Sequence, residues 1–199
     1  MNDTYIYELD GNLYINLTNK CSNACTFCVR NGHEGYYGHK LWLKKEPTAS
    51  EVLSLIDYSK HYNQVVFCGF GEPTERIDVL TEIGVELRKK GYTVRLNTNG
   101  HGNLINGRDI TVDLAQAVDY INVSLNAQNA TEYQKVCRSI YGEKAFYELI
   151  DFAKKCQARG IKTNLSIVDV IGETAVKECK LLAEEHGLPL RVREMITDN

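Results

Sequence analysis

The residues best suited to chemistry are three cysteines, Cys21, Cys25 and Cys28, which lie within eight consecutive residues. Thiolates are preferred ligands of zinc, copper(I) and iron-sulfur clusters. A structural zinc site takes four ligands, usually as two separated pairs, whereas the remaining cysteines are isolated: Cys68, Cys137, Cys156 and Cys179. These four are expected to pack as small apolar side chains, although Cys68 directly precedes a glycine segment. A 4Fe-4S cluster held by the triplet would leave one iron free to bind a small molecule.

The glycine segment after Cys68 is a second motif, Gly69-Phe-Gly71-Glu72-Pro-Thr, and it follows an apolar run that predicts a strand. Together, CxxxCxΦC with Phe27 before its last cysteine and GFGEPT resemble the cluster motif and the GGEP segment of the radical SAM superfamily. Residues 16–21 and 41–48 resemble, more narrowly, the short radical SAM proteins associated with TatD-family hydrolases.

The resemblance implies a 4Fe-4S cluster on the three cysteines, with S-adenosylmethionine bound at the open iron. It also implies that Glu72 accepts a hydrogen bond from the ammonium group of S-adenosylmethionine. The implied cofactor-binding residues are Phe27, Gly69, Gly71, Glu72, Thr98, Asn99, Ser124, Asn126 and Lys162. For Ser124 and Asn126 the alternative is polar filling of a cavity, and for Phe27 it is core packing. Lys162 lies early in its strand. No catalytic residue is assigned beyond these.

The resemblance also implies a function and partners. The expected activity is reductive cleavage of S-adenosylmethionine to a 5'-deoxyadenosyl radical that acts on an unidentified small molecule or protein. An electron donor such as flavodoxin or ferredoxin and a TatD-family hydrolase are the expected partners. Two alternatives stay open: a glycyl-radical activase with a large protein partner, and a noncatalytic iron-sulfur or zinc scaffold. Glu72 separates them, because a scaffold has no need of a cofactor segment.

Composition limits the other possibilities. A chain of 199 residues can bury a core as one domain, predicted to span residues 1–199. The net charge of -3 argues against a nucleic-acid partner. No apolar run is long enough to cross a membrane, and the polar start has no signal-peptide pattern. Seven cysteines in irregular spacing fit a reducing compartment, so a cytoplasmic location is expected. The histidines have no ligand spacing, and surface or helix-end positions are expected for His61, His101 and His186.

Strands that alternate with helices position these motifs. Strands are predicted at residues 13–17, 65–68, 92–97, 120–125, 162–168 and 190–193. Helices are predicted from a Thr48–Glu51 capping box onward and at residues 75–90, 112–117, 131–158 with a break near Gly142, and 174–185. This order predicts an α/β fold, a partial (βα)6 barrel with an open six-stranded parallel sheet.

Most of these strands carry polar residues on one face, which is unusual for parallel strands. The polar faces are therefore expected to line a lumen that holds ligand, and the alternative is a flat sheet with one wet face. By the same alternation Arg191 and Arg193 should face the lumen and recognise an anionic group, unless they only protect the edge of the sheet. The aromatic and basic connection at residues 29–47 is expected to be a covering flap or a lid that contacts substrate.

Overall fold

Nine strands form within residues 3–194, which is the part of the chain that this computed structural model describes. They are β1 (Ile6–Leu9), β2 (Asn12–Ile15), β3 (Gly35–Tyr36), β4 (His39–Lys40), β5 (Val65–Phe67), β6 (Val94–Thr98), β7 (Tyr120–Ser124), β8 (Lys162–Val168) and β9 (Leu190–Arg193). The helices in the same range are α1 (Ala49–Leu55), α2 (Ile77–Lys89), α3 (Gly102–Asn106), α4 (Thr111–Ala117), α5 (Ala130–Cys137), α6 (Lys144–Ala158) and α7 (Glu173–Glu185).

Seven of the strands form one sheet in the order β1-β2-β5-β6-β7-β8-β9. Six of these strands are parallel, namely β2, β5, β6, β7, β8 and β9, which confirms the predicted α/β partial barrel. The seventh strand was not predicted: β1 is antiparallel to β2, and the two form a hairpin. Its turn uses Asp10 and Gly11, both with positive φ (51° and 73°), as the strand twist requires of a tight hairpin turn.

The two faces of the sheet differ as the alternation predicts. The apolar residues of the parallel strands are buried against helix residues such as Leu80, Ile83 and Leu149. The polar residues of the same strands line a cavity on the opposite face. The apolar face is less well covered at the edge strand β9, where Val192 is 41% exposed although α7 contacts this strand.

Most element boundaries agree with the prediction to within a few residues. The capping box is present, since the Thr48 side chain accepts from Glu51 N and the Glu51 carboxylate accepts from Thr48 N. The expected break near Gly142 separates α5 from α6, and Gly142 has a positive φ. The short helix α3 was missed. Residues 29–47 contain the β3–β4 hairpin rather than a structureless loop.

None of the helices described within residues 3–194 is both long and apolar enough to span a membrane.

Candidate functional site

The cysteine loop begins directly after β2 and is fixed to the end of α5. Ala24 N donates to Cys137 O at 3.0 Å and Thr26 N donates to Val136 O at 2.9 Å. Cys21, Cys25 and Cys28 are all partly exposed, unlike the buried Cys137. Burial raises the pKa of the Cys21 thiol to about 12, and Cys25 interacts with the Cys137 thiol, which raises the pKa of Cys25.

The donor set fits an iron-sulfur cluster. Across residues 3–194, no three His, Cys, Asp or Glu side chains converge closely enough to hold a single metal ion. A 4Fe-4S cluster needs thiolates around the corners of a cube rather than at one point, so three partly exposed thiols on one short loop suit it. Two buried acceptors near the triplet, Asn23 Oδ1 and Asn126 Oδ1, also have no hydrogen-bond partner among the described residues.

The glycines of the second motif are required by close packing within the chain. A Cβ on Gly69 would lie 2.0 Å from Asn16 Oδ1, and one on Gly71 would lie 2.3 Å from Thr18 O. Glu72 N then donates to Lys20 O at 2.7 Å. The GFGEPT segment is therefore held against the chain that enters the cysteine loop, which explains the glycines without a ligand.

Glu72 is a buried carboxylate, 3% exposed, and the structure surrounds it with donors. Its Oε1 accepts from Thr74 N, Thr74 Oγ1 and Thr98 Oγ1 at 3.1, 2.7 and 2.7 Å, and its Oε2 accepts from Asn99 N at 2.7 Å. Burial raises the pKa of Glu72, and these hydrogen bonds act in the opposite direction. Oε2 keeps capacity to accept one further donor.

Asn99 joins Glu72 to the cysteine loop. Its backbone N–H contacts Glu72, while its Nδ2 donates to Ser22 Oγ at 2.9 Å and lies 3.9 Å from Cys21 Sγ. Thr98 and Asn99, both candidate cofactor residues, thus lie with Glu72 and Cys21 in one network at the carboxyl ends of β5 and β6. In parallel α/β sheets this is the end at which ligands bind.

His101 is a component of this network that the sequence did not predict. A surface or helix-end position was expected; His101 does precede α3, but it is fully buried. Its Nδ1 lies 3.1 Å from Ser22 Oγ and its Nε2 lies 3.2 Å from Tyr133 OH, which in turn accepts from Asn23 Nδ2 at 3.0 Å. Burial lowers the pKa of His101 to about 4. No local sequence signal reveals partners 79 and 32 residues away.

The remaining candidate residues divide into two groups. Ser124 lines the lumen, Asn126 is buried at the end of β7 with a positive φ of 57°, and Phe27 packs against the main core. Lys162 lies elsewhere: it is exposed at the amino end of β8, opposite Tyr120, and its ammonium contacts that phenol at 3.1 Å. The structure therefore does not bring Lys162 together with Glu72.

The lumen is a cavity of about 290 Å³ on the polar face of the sheet. Its walls include Arg95 and Asn97 of β6, Asn122 of β7 and Ser166 of β8. Arg191 and Arg193 also line it, so the predicted direction of both side chains is confirmed. Of the four cysteines outside the triplet, Cys137, Cys156 and Cys179 are fully buried, as expected for small apolar side chains, while Cys68 lines the lumen.

Residues 29–47 form one wall of this lumen. Val29, Tyr36 and Leu41 line it, and Tyr36 lies near Arg193. The segment is fixed to the approach to the cysteine loop: Asn16 Nδ2 donates to Leu41 O at 2.8 Å, and three more hydrogen bonds join Asn19 to Leu43 and Thr18 to Glu46. The segment is thus fixed in place as part of the lumen wall.

An open parallel barrel with a three-cysteine loop and a glycine-glutamate segment at the carboxyl ends of its strands defines a class of cofactor-dependent enzymes. The family model of the radical SAM superfamily matches residues 15–181. The chain belongs to the radical SAM superfamily, and this membership implies a 4Fe-4S cluster and S-adenosylmethionine as its cofactors.

Individual relatives agree with this assignment. A probable GTP 3',8-cyclase of Thermococcus kodakarensis is 27% identical over 187 residues, which are 92% of this chain and 56% of that protein. Streptococcus suis SuiB bound to its precursor peptide SuiA superposes with a TM-score of 0.71 at 15% identity, over 96% of this chain and 40% of SuiB. SuiB bound to S-adenosylmethionine gives 0.68 at 14% identity, over 92% and 40%. The chain thus spans about half the length of these proteins.

Proposed function

We propose that the protein is a radical SAM enzyme in which Cys21, Cys25 and Cys28 hold the 4Fe-4S cluster. The observation that carries the proposal is the joining of the cysteine loop to the GFGEPT segment. Glu72 N bonds to Lys20 O, one residue before Cys21, and Asn99 bridges the Glu72 carboxylate and the loop. When bound, the cluster supplies the electron that cleaves S-adenosylmethionine to a 5'-deoxyadenosyl radical.

The chain's own residues bind and orient the cofactor and substrate in this proposal. Glu72 Oε2 accepts from the ammonium group of S-adenosylmethionine, and Gly69, Gly71, Thr98 and Asn99 keep the surrounding backbone in place. Ser124 and Asn126 offer hydroxyl and amide groups further round the rim, where the unpartnered Asn126 Oδ1 suits a ligand hydroxyl. Phe27 packs beside the third cysteine. Lys162 is left out of the set because of its position at the other end of β8.

The substrate in this proposal occupies the lumen rather than the outer surface. The polar cavity lies directly beside Gly69 and Ser124, two of the candidate cofactor residues. A radical formed at the carboxyl ends of the strands would be shielded there from solvent by the wall that residues 29–47 build. An external one-electron donor, such as flavodoxin or ferredoxin, completes the reaction.

The narrower kinship belongs to the same proposal: residues 1–199 form a single radical SAM core akin to the short proteins associated with TatD-family hydrolases. The two stretches that carry this resemblance, residues 16–21 and 41–48, are in direct contact. Their sequence similarity therefore concerns one structural unit. A TatD-family hydrolase is the partner that this kinship suggests.

The proposal is tested by measuring the iron content of the protein after anaerobic reconstitution. Replacement of Cys21, Cys25 or Cys28 by Ala should remove the iron, because each substitution leaves only two thiolates on the loop. Cys179→Ala in α7 is the matched control and should keep it; Cys137→Ala, also expected from sequence to keep it, is a weaker control because Cys137 contacts Cys25. Stoichiometric zinc without iron in the wild-type protein would favour the scaffold alternative instead.

A further inference from the structure

Among residues 3–194, three arginines line the lumen, and no acidic residue lines it with them. Arg95 comes from β6, and Arg191 and Arg193 come from the edge strand β9, so the guanidinium groups reach the cavity from two separate strands. The other lining residues of the described chain are neutral: Tyr7, Tyr14, Val29, Tyr36, Leu41, Cys68, Gly69, Phe70, Asn97, Asn122, Ser124 and Ser166. Such a lining has an unbalanced positive charge.

The arginines also lack acidic partners within residues 3–194. None of the ion pairs described there includes Arg95, Arg191 or Arg193. The Nε atoms of Arg95 and Arg193 are buried without a hydrogen-bond partner. Burial of an unpaired charge or of an unsatisfied donor carries a large cost in free energy. A ligand that supplies the missing acceptors would remove that cost.

Edge protection explains only one of these residues. A charge on an edge strand can deter pairing with another chain, and Arg191 on β9 is exposed enough to do this. Arg193, also on β9, is instead half-buried beside Tyr36 and Cys68, and Arg95 lies on β6, the central strand of the sheet, with three strands on either side. Edge protection thus accounts for neither the central position of Arg95 nor the burial of Arg193.

We propose that Arg95, Arg191 and Arg193 form an anion-binding set and that the substrate of this enzyme carries a carboxylate or phosphate group. Arginine's planar fork matches both groups with two parallel hydrogen bonds. The stacked rings of Tyr7 and Tyr14, with centroids 5.0 Å apart, line the same cavity. This inference rests on the proposed function, because it places the substrate in the lumen next to the cofactor.

The test measures anion binding in the reconstituted enzyme loaded with S-adenosylmethionine. Thermal unfolding is followed against potassium phosphate or sodium succinate, with potassium chloride at equal ionic strength as reference. A ligand that binds the folded state raises the unfolding temperature with its concentration, so at least one anion should do so beyond chloride. The anion that acts assigns the group as phosphate or carboxylate. No rise with either anion overturns the inference.

The variants locate the effect. Arg191→Gln and Arg193→Gln together should weaken the apparent anion affinity about tenfold or more, as the loss of charged hydrogen bonds predicts. Arg108→Gln is the matched control: it makes the same charge change at an ion pair with Asp113 outside the lumen, and it should change nothing. Arg193→Lys, which keeps the charge, serves if the double variant does not fold, and it should bind the anion more weakly because it cannot form the fork.

Iron content and S-adenosylmethionine affinity are measured on the same samples. Both should be unchanged in the variants, so that a loss of anion binding reports on the lumen alone. If the variants instead lose S-adenosylmethionine affinity, the arginines serve the cofactor's own carboxylate and the substrate inference fails, while the proposed function stands. Loss of iron in the wild-type protein would refute the proposed function independently.

Discussion

Glu72 has a structural role in addition to the ligand role proposed for it. Its carboxylate accepts four hydrogen bonds from Thr74, Thr98 and Asn99, so it joins the ends of β5 and β6, and Oε2 keeps capacity for one further donor. The ligand role stays a prediction from the motif GFGEPT. The structural role was not predictable, because its donors at positions 98 and 99 come from a distant part of the chain.

Glu72→Gln therefore tests the ligand role with less disturbance than Glu72→Ala. The amide keeps the size of the side chain but loses the charge that attracts an ammonium group, and a hydrogen bond to a charged group is worth about 1.5 to 3 kcal/mol. We expect the affinity for S-adenosylmethionine to fall about tenfold or more in equilibrium binding, with the iron content unchanged. Glu75→Gln in the same segment is the control. Equal affinities of Glu72→Gln and wild type would remove Glu72 from the cofactor site.

Glu72→Ala should in addition destabilise the fold. The backbone N–H groups of Thr74 and Asn99 would lose their acceptor inside the protein, at a cost of about 1 to 3 kcal/mol for each buried group. Urea unfolding of the variant and the wild type measures this loss. An unchanged free energy of unfolding would mean that water replaces the carboxylate at both positions.

His101 should make the stability depend on pH. Burial lowers its pKa to about 4 from 6.5, so the unfolded chain binds a proton between these values that the folded chain does not. Its contribution is fully present above about pH 6.5 and is lost as the pH falls towards 4, with a total of about 3 kcal/mol. Glu72 has a raised pKa and acts with the opposite sign, so the wild type must be compared with a variant.

The measurement is urea unfolding of wild type and His101→Gln, both free of iron, at pH 4.5 and 6.5. The wild type should lose more stability than the variant as the pH falls. The same loss in both proteins would show that His101 is protonated at no cost and is not held neutral by its burial.

The segment 29–47 shows how a connection becomes part of a site. Asn19 holds it with two hydrogen bonds, from Nδ2 to Leu43 O at 2.7 Å and from Leu43 N to Oδ1 at 3.0 Å. Thr18 adds a contact to Glu46 at 2.6 Å. Because Asn19 is two residues before Cys21, the lumen wall and the cysteine loop share one attachment.

Asn19→Ala should release this attachment. Two hydrogen bonds are lost, each worth about 0.5 to 1.5 kcal/mol in net stability, and the segment should open more often. Limited proteolysis followed by mass spectrometry should find faster cleavage within residues 29–47. Gln157→Ala on α6 is the control, because it removes an exposed hydrogen bond to Gly187 O outside this segment. Equal cleavage rates in wild type and Asn19→Ala would mean that Leu41 and Leu43 hold the segment by burial alone.

Sequence patterns predicted the elements that depend on local chemistry. The capping box at Thr48, the break at Gly142 and the polar faces of the strands each depend on neighbouring residues, and all three are confirmed. The β1–β2 hairpin was missed although Asp10-Gly11 is a strong turn signal. Residues 29–47 were expected to cover the site, but the hydrogen bonds that attach them and the His101 network were not predictable, because they join residues far apart in the chain.

Residues 3–194 form an open barrel whose two edges differ. At one edge β1 adds an antiparallel strand. Residues 29–47 lie beside this strand, since the ring centroids of Tyr7 in β1 and His39 are 5.2 Å apart. At the other edge β9 supplies Arg191 and Arg193. Gly69 and Ser124, two of the proposed cofactor residues, line the same cavity as these arginines, on the face of the sheet opposite the helices. In the proposed function this places the substrate beside the cofactor.

The activity proposed for this face is the reductive cleavage of S-adenosylmethionine. The direct measurement is the amount of 5'-deoxyadenosine formed by anaerobically reconstituted protein with S-adenosylmethionine and dithionite, with iron determined on the same sample. We expect 5'-deoxyadenosine from the wild type only when the reductant is present, and none when Cys21, Cys25 and Cys28 are all replaced by Ala. An iron-loaded wild-type protein that binds S-adenosylmethionine but forms no 5'-deoxyadenosine would contradict it.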